Sequence, residues 1–398
     1  MKRVRSRPPL PPGFGTIWTT VAIDLIGFGM IFPILPIYAR RFHVSSATAT
    51  GLIAAFSAAS FVFSPIWGRV SDKVGRKPVI LLSLTGTAVG SLLTGAAGGI
   101  ALLYVARFID GASGASVSVA QAAVSDVAPE GQRPRLFGLL GAAFGIGFVA
   151  GPAFGALAAL WGPRVPFYAA AVLAGVNALV AVRRLPETHH PGEAVAERER
   201  RFALARMAGA KAAARLIGVA FFALLSFSAF EATFALFGQR RLGFDIGSSA
   251  AVFAGIGLVI VATQAGLVHP TVSRLGETGT LRAGLIGDAA GLLVLAFVRS
   301  WWSLVPALLA LTIGQGLVQT TMSSTLAGRA DPRRRGMLLG AQQSAGGLGR
   351  VLGPLLGGLL FQQVGPGAPY IAGAAVMTLA LLLLQTAVGD PVSAPATP

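Results

Sequence analysis

The ten residues Gly68 to Lys77, GRVSDKVGRK, set five charged side chains beside two glycines and lie between two long apolar runs. Such a segment cannot rest in hydrocarbon, and unpaired charge there is expensive. The 398-residue chain is 54% hydrophobic and 12% charged, about half the charged fraction of a soluble domain. Twelve apolar stretches suit membrane helices, near 16–38, 47–67, 78–98, 101–121, 136–159, 165–183, 216–238, 247–267, 282–298, 302–324, 337–361 and 368–388. Their continuous apolarity argues against a β-barrel, whose strands alternate. The sequence predicts an all-α membrane protein of 12 transmembrane helices, with 68–77 as a tight charged turn between the second and third.

Charge distribution sets the orientation. The net charge is +17. With both termini in the cytoplasm, 24 of the 32 Lys and Arg fall in cytoplasmic segments. The other side holds six, namely Arg40, Arg41, Arg164, Arg240, Arg241 and Arg299, while Arg107 and Arg350 lie inside helices. This is the positive-inside asymmetry, and it predicts a multi-pass protein of the cytoplasmic membrane with basic loops toward anionic lipid. It argues against nucleic acid as the partner of this charge. Without cysteine there is no disulfide or thiolate chemistry. The histidines His43, His189, His190 and His269 form no metal-like cluster, so neither metal nor other cofactor is expected. No G-x-x-x-x-G-K-[ST] occurs, which removes direct use of a nucleotide. No nucleophile–base constellation suggests an enzyme. The basic, proline-rich start resembles a signal n-region, but the following run is too long for an h-region, so the first helix is expected to be retained.

One long polar gap, 184–214, divides the chain into 1–183 and 215–398, each with six of the runs. It reads as a cytoplasmic linker, partly an amphipathic surface helix, whose mixed charges, Glu187 among them, form a solvated face. The two sides repeat: the stretches Gly141–Ala159 and Gln342–Leu360 align at an offset of about 202, at which Gly147, Gly151, Pro152 and Gly155 meet Gly349, Gly353, Pro354 and Gly357. A worn copy of the charged turn stands at His269–Glu277. Two pseudo-symmetric six-helix bundles with a site near the midplane are the arrangement of many transporters. Glycines 147, 151 and 155 share a helix face and permit close approach, while Pro152 permits a bend.

These segments resemble the major facilitator superfamily. Gly68, Asp72, Lys73, Gly75, Arg76 and Lys77 match its signature G-x-x-x-D-[RK]-x-G-[RK]-[RK]. The resemblance implies a conformational latch, with Asp72 meeting the start of the eleventh helix near Gly336 and Met337, and Arg76 pairing with Asp126. Gly147, Gly151, Pro152 and Gly155 resemble the antiporter motif, which in this superfamily goes with export. Asp24, Gly27, Gly29, Pro33, Leu35 and Pro36 resemble the helix-1 motif of drug–proton antiporters, and Arg107, Gly111 and Gly114 the helix-4 motif. Asp288 stands where the tetracycline–proton group places an essential acid. Against that group, Gly90 replaces an acid in helix 3 and Ile260 a histidine in helix 8, while Gln264 is retained.

Ionisable residues at membrane depth are functional candidates. A carboxyl group in apolar surroundings has its charged form disfavoured, which suits Asp24 to exchange a proton near neutral pH. Arg107, Asp110 and Asp288 complete the proton-coupling set, with Arg107 and Asp110 one helix turn apart and able to neutralise each other. Glu231 and Arg350 share a depth and are expected to form an ion pair. Phe28, Phe32, Phe230, Glu231, Phe234, Gln264, Gln315 and Gln319 are candidate substrate contacts, aromatics and amides suiting a bulky amphipathic molecule. The function implied is proton-coupled efflux of drug-like or lipophilic molecules by a monomer. Uptake of a sugar or other metabolite and lipid flipping are the alternatives.

Overall fold

The computed structural model describes residues 9–129, 132–189, 211–329 and 335–389. Most of the expected linker helix falls on 190–210, outside the described residues. Helices run in the order α1 (Phe14–Ile31), α2 (Leu35–Arg40), α3 (Ser46–Val74), α4 (Arg76–Ala96), α5 (Ile100–Ser113), α6 (Ser116–Val127), α7 (Arg133–Ala159) and α8 (Val165–Arg184). After the linker come α9 (Lys211–Leu242), α10 (Ile246–Ala262), a π-helical turn at Thr263–Leu267, α11 (Val268–Ala296), α12 (Trp301–Arg329), α13 (Arg335–Gln363) and α14 (Ala368–Gly389).

Local chemistry sets the ends and breaks. Pro33, between α1 and α2, has no N–H to continue the ladder. Ser45 caps α3 by accepting from the Thr48 amide at 3.1 Å. Asp245 and Ser248 form a capping box at α10, with bonds of 2.7 and 2.9 Å. Among the described residues, 11 helical runs are long and apolar enough to cross a membrane. The difference from the expected twelve lies in Ile246–Ala296, one helical run of 51 residues. Gly276 interrupts it with φ 69 and ψ 172, so two helices meet there at a kink. The turn needs no polar loop, because glycine accepts this conformation at little cost.

The repeat appears as repeated packing. A Cβ at Gly147 would stand 2.7 Å from that of Leu25, and one at Gly151 2.6 Å from the Gly29 Cα. In the second half a Cβ at Gly349 would stand 3.0 Å from the Leu225 nitrogen, and one at Gly353 2.6 Å from the Leu225 oxygen. Thus α7 lies backbone to backbone on α1, and α13 on α9, through glycine faces.

Across the halves, α3 meets α13 and α7 meets α10. Toward the end opposite the 68–77 turn these pairs touch: a Cβ at Gly358 would strike Thr50, one at Gly257 would strike Phe148, and Ala47 donates to Gln362 Oε1 at 3.3 Å. Nearer the turn, a Cβ at Gly68, Gly138, Gly141, Gly266 or Gly340 would meet nothing within 4 Å. The contacts named across the halves thus gather away from the end bearing 68–77.

Candidate functional site

The first half holds a compact polar cluster. Asp24, ten residues into α1, accepts from Ser116 Oγ at 2.5 Å, and its second oxygen is buried without a partner. Arg107 and Asp110 pair at 2.9 Å, both nearly fully buried. Arg107 also donates to Thr94 Oγ1 at 2.9 Å. Asp110 lies within Coulomb range of Asp24, so the structure brings three of the four coupling candidates together. The departure at Gly90 has a steric reading: a Cβ there would stand 2.8 Å from that of Asp110. The missing α4 side chain gives Asp110 its space. Phe28, Phe32 and Phe56 line a small cavity with Arg107, and the Phe28 ring packs tilted against Phe32 at 5.3 Å and Phe56 at 5.4 Å.

Asp288 does not join this cluster. It is fully buried in the seam between α11 and α12, where a Cβ at Gly314 would lie 2.7 Å from its Oδ1. Neither of its carboxyl oxygens has a hydrogen-bond partner.

Several expectations in the second half need correction. Phe230 and Phe234 are fully buried, packed against each other at 5.2 Å and against Tyr370 and Phe253, so they are core and not cavity wall. Gln315 is buried, with its Oε1 unpartnered. Gln319, one turn on, is exposed and accepts from Gln264 at 3.1 Å. That amide pair joins α12 to the π turn, where an extra residue per turn re-aims side chains. The expected Glu231–Arg350 ion pair is not closed: no contact within 4 Å links them, although Arg350 acts on Glu231 through space. The reason is angular. Gly349 and Gly353 press on the α9 backbone, and Arg350, about 100° around the helix from Gly349, is exposed.

The signature turn is tied within its own half. Gly75, at φ 100, reverses the chain between α3 and α4. Arg76 donates to Asp126 Oδ2 at 3.0 Å, Asp72 Oδ1 at 2.5 Å and Ser71 Oγ at 2.7 Å. Lys73 is exposed, and Lys77 donates its backbone amide at 3.1 Å to Glu187. Asp72 engages Arg76 within its own half; the start of α13 at 335–336, its expected partner, has no described side chains. Glu187 was read as part of a solvated face and is instead a clamp. It accepts the Arg76 amide at 2.7 Å as well as that of Lys77, placing a carboxylate on the positive end of α4. His189 adds a ring contact of 3.0 Å to the Asp72 carbonyl.

Partial desolvation of Glu187 disfavours its charge, but the amides of Arg76, His189, Lys77 and Thr188 outweigh this and hold its carboxyl below the ordinary range. A depression of this sign supports the fold above the ordinary carboxylate range and is lost as pH falls through the lowered value. The clamp is thus at full strength at neutral pH. Glu187→Gln is expected to raise hydrogen exchange at the Arg76 and Lys77 amides several-fold; unchanged protection would remove the clamp.

Comparison with known proteins follows this geometry. A family profile described as Major Facilitator Superfamily matches residues 17–330 and, in a second match, 265–398. The chain is 32% identical over 374 residues to the tetracycline resistance protein, class G, of Vibrio anguillarum, covering 92% of this chain and 95% of that one. It is 29% identical over 359 residues to multidrug resistance protein 2 of Bacillus subtilis (strain 168), covering 87% and 88%. Among solved structures, the human organic anion transporter MFSD10 (TETRAN) superposes with a TM-score of 0.71 at 26% identity, covering 94% of this chain and 100% of that one.

Proposed function

The chain belongs to the major facilitator superfamily, and from that premise we propose that it exports drug-like or lipophilic small molecules in exchange for protons, by alternating access. One observation carries the reading. The glycine face of α7 packs on the turns of α1 that begin beside Asp24, and a Cβ at Gly147 would touch Leu25. Movement of α7 therefore reaches a buried acid directly. The names of the relatives support export of drugs over uptake of a nutrient or flipping of a lipid.

In this reading the kink at Gly276 divides Ile246–Ala296 into two crossings, giving twelve helices in two bundles, 1–183 and 215–398, joined by the 184–214 linker. Both termini and the 68–77 turn face the cytoplasm, as the positive-inside rule requires. The conformation described above is then inward-open. Asp24 releases its proton to the cytoplasm, and substrate enters beside Phe28, Phe32, Gln264 and Gln319. Closure at the cytoplasmic end and opening at the far end expose the loaded site outside, where an incoming proton returns to Asp24 as substrate leaves. Arg107 holds Asp110 neutralised beside it, so that one acid of the two remains free to exchange. The chain works as a carrier with no chemistry of its own on the substrate, and as a monomer.

Cytoplasmic closure brings α13 onto Asp72, which trades part of its contact with Arg76 for the new one. Asp72→Asn is expected to slow turnover several-fold with KM little changed. Wild-type rates would remove the latch.

Proteoliposomes with an imposed pH gradient test the whole reading, with tetracyclines and lipophilic cations as probes. Probe-triggered proton movement opposite to the probe supports antiport. Response only to a sugar or a lipid overturns it.

A further inference from the structure

We propose that Ser116 is a positioning residue for the coupling acid, setting the pH at which Asp24 takes and releases its proton; this rests on the reading that Asp24 is that acid. The fourth crossing is broken at membrane depth. The Ser113 hydroxyl turns back on the Ile109 carbonyl at 2.7 Å, and Gly114, at φ −67 and ψ 56, leaves the helix. Side chains of this kind compete with the helical ladder. The second half, α6, starts at Ser116.

The break takes two amides out of the helical ladder; one side chain accepts from both, sharing that of Ala115 with the Ser113 carbonyl. Ser83 Oγ on α4 accepts from the Ala115 amide at 3.1 Å and the Ser116 amide at 3.0 Å. That acceptor fixes the first turn of α6 and aims the Ser116 hydroxyl, on a residue 3% exposed, at Asp24 Oδ2. An unbroken helix would spend the Ser116 amide on its own ladder and have no need of Ser83.

Among the described residues no ion pair forms to this carboxyl, and the cation of the cluster, Arg107, is paired with Asp110. Facing it from α5 is Asp110, already paired with Arg107. From α8 comes neutral Asn177, which donates to the Thr20 carbonyl at 2.9 Å. Arg135 of α7 and Arg183 and Arg184 of α8 stand at the helix ends near the 68–77 turn, and Asp126 of α6 is bonded to Arg76 there. Among the described residues the one donor on Asp24 is a neutral hydroxyl held by a helix break. Such a bond favours the charged form of the acid.

The test is an infrared titration of the carboxyl band in the full chain in lipid, with the Asp24 band assigned by its loss in Asp24→Asn. Ser116→Ala is expected to move the midpoint about one pH unit upward, the size of a hydrogen bond to a charged group. Ser116→Thr should restore it, and Ser83→Ala should move it in the same direction by less. If the alanine variant at 116 does not fold, Ser116→Cys, with its weak donor, carries the same expectation. A midpoint unmoved in the variants at both 116 and 83 overturns the proposal. The expected shifts without any probe-driven proton flux would uphold Ser116 while the export reading fails. No band lost in Asp24→Asn would overturn both.

Discussion

Replacing Asp24 by asparagine is expected to stop the proposed proton-coupled export, leaving flux at the level of empty liposomes, while exchange of labelled for unlabelled substrate continues. Asparagine keeps the size of the side chain and an oxygen to accept from Ser116, so the α1–α6 contact survives. What is lost is the ability to gain and release a proton. Separating the two assays is what makes the result specific: a collapsed site would stop both. Wild-type coupling in this variant would remove Asp24 from the mechanism and turn attention to Asp110, the other acid of the cluster.

The second large effect is steric. Gly151→Val is expected to destabilise the fold by about 3 kcal/mol or more and to abolish transport. A Cβ there would stand 2.6 Å from the Gly29 Cα and 2.8 Å from the Ile26 oxygen, and both are backbone atoms that cannot rotate away. The helices must part to admit it. Gly141→Ala on the same helix is the control, since a Cβ at that position meets nothing within 4 Å. Thermal melting in detergent decides the matter, and equal melting of Gly151→Val and wild type would refute tight α1–α7 packing.

Features carried by local chemistry were legible in the sequence, and those set by the direction of a helix face were not. The glycine spacing at 147, 151 and 155 announces a close helix contact because only one residue type permits it. Phe230 and Phe234 were placed on the cavity wall, yet α9 is apolar on nearly all sides, and an apolar helix does not say which stripe faces a cavity. Tyr370 of α14 and Phe253 of α10 decide that in the folded protein. Glu187 looks like any linker acid in the sequence, because the partners that make it a clamp, the Arg76 and Lys77 amides, lie more than a hundred residues away, and backbone amides carry no sequence signal. The division of Ile246–Ala296 rests on one glycine, Gly276, in a chain with 52. The break at 114–115 left a trace in the serines at 113, 116 and 118, but the acceptor that stabilises it, Ser83, lies on another helix.

The two ends of the molecule are held by different forces, across the halves at one and within the first half at the other. At the far end one apolar cluster runs from Ile34, Leu35 and Tyr38 of the first half to Phe234 and Phe361 of the second. At the end bearing the signature turn, the ties around Arg76 are charge-assisted hydrogen bonds. Between helices in lipid the apolar contact rests on close packing rather than on expulsion of water, whereas exposed charge contacts weaken as ionic strength rises. Added salt should therefore act chiefly on the signature turn and leave the far seam unmoved. Ionic strength thus becomes a handle on one end of the molecule alone.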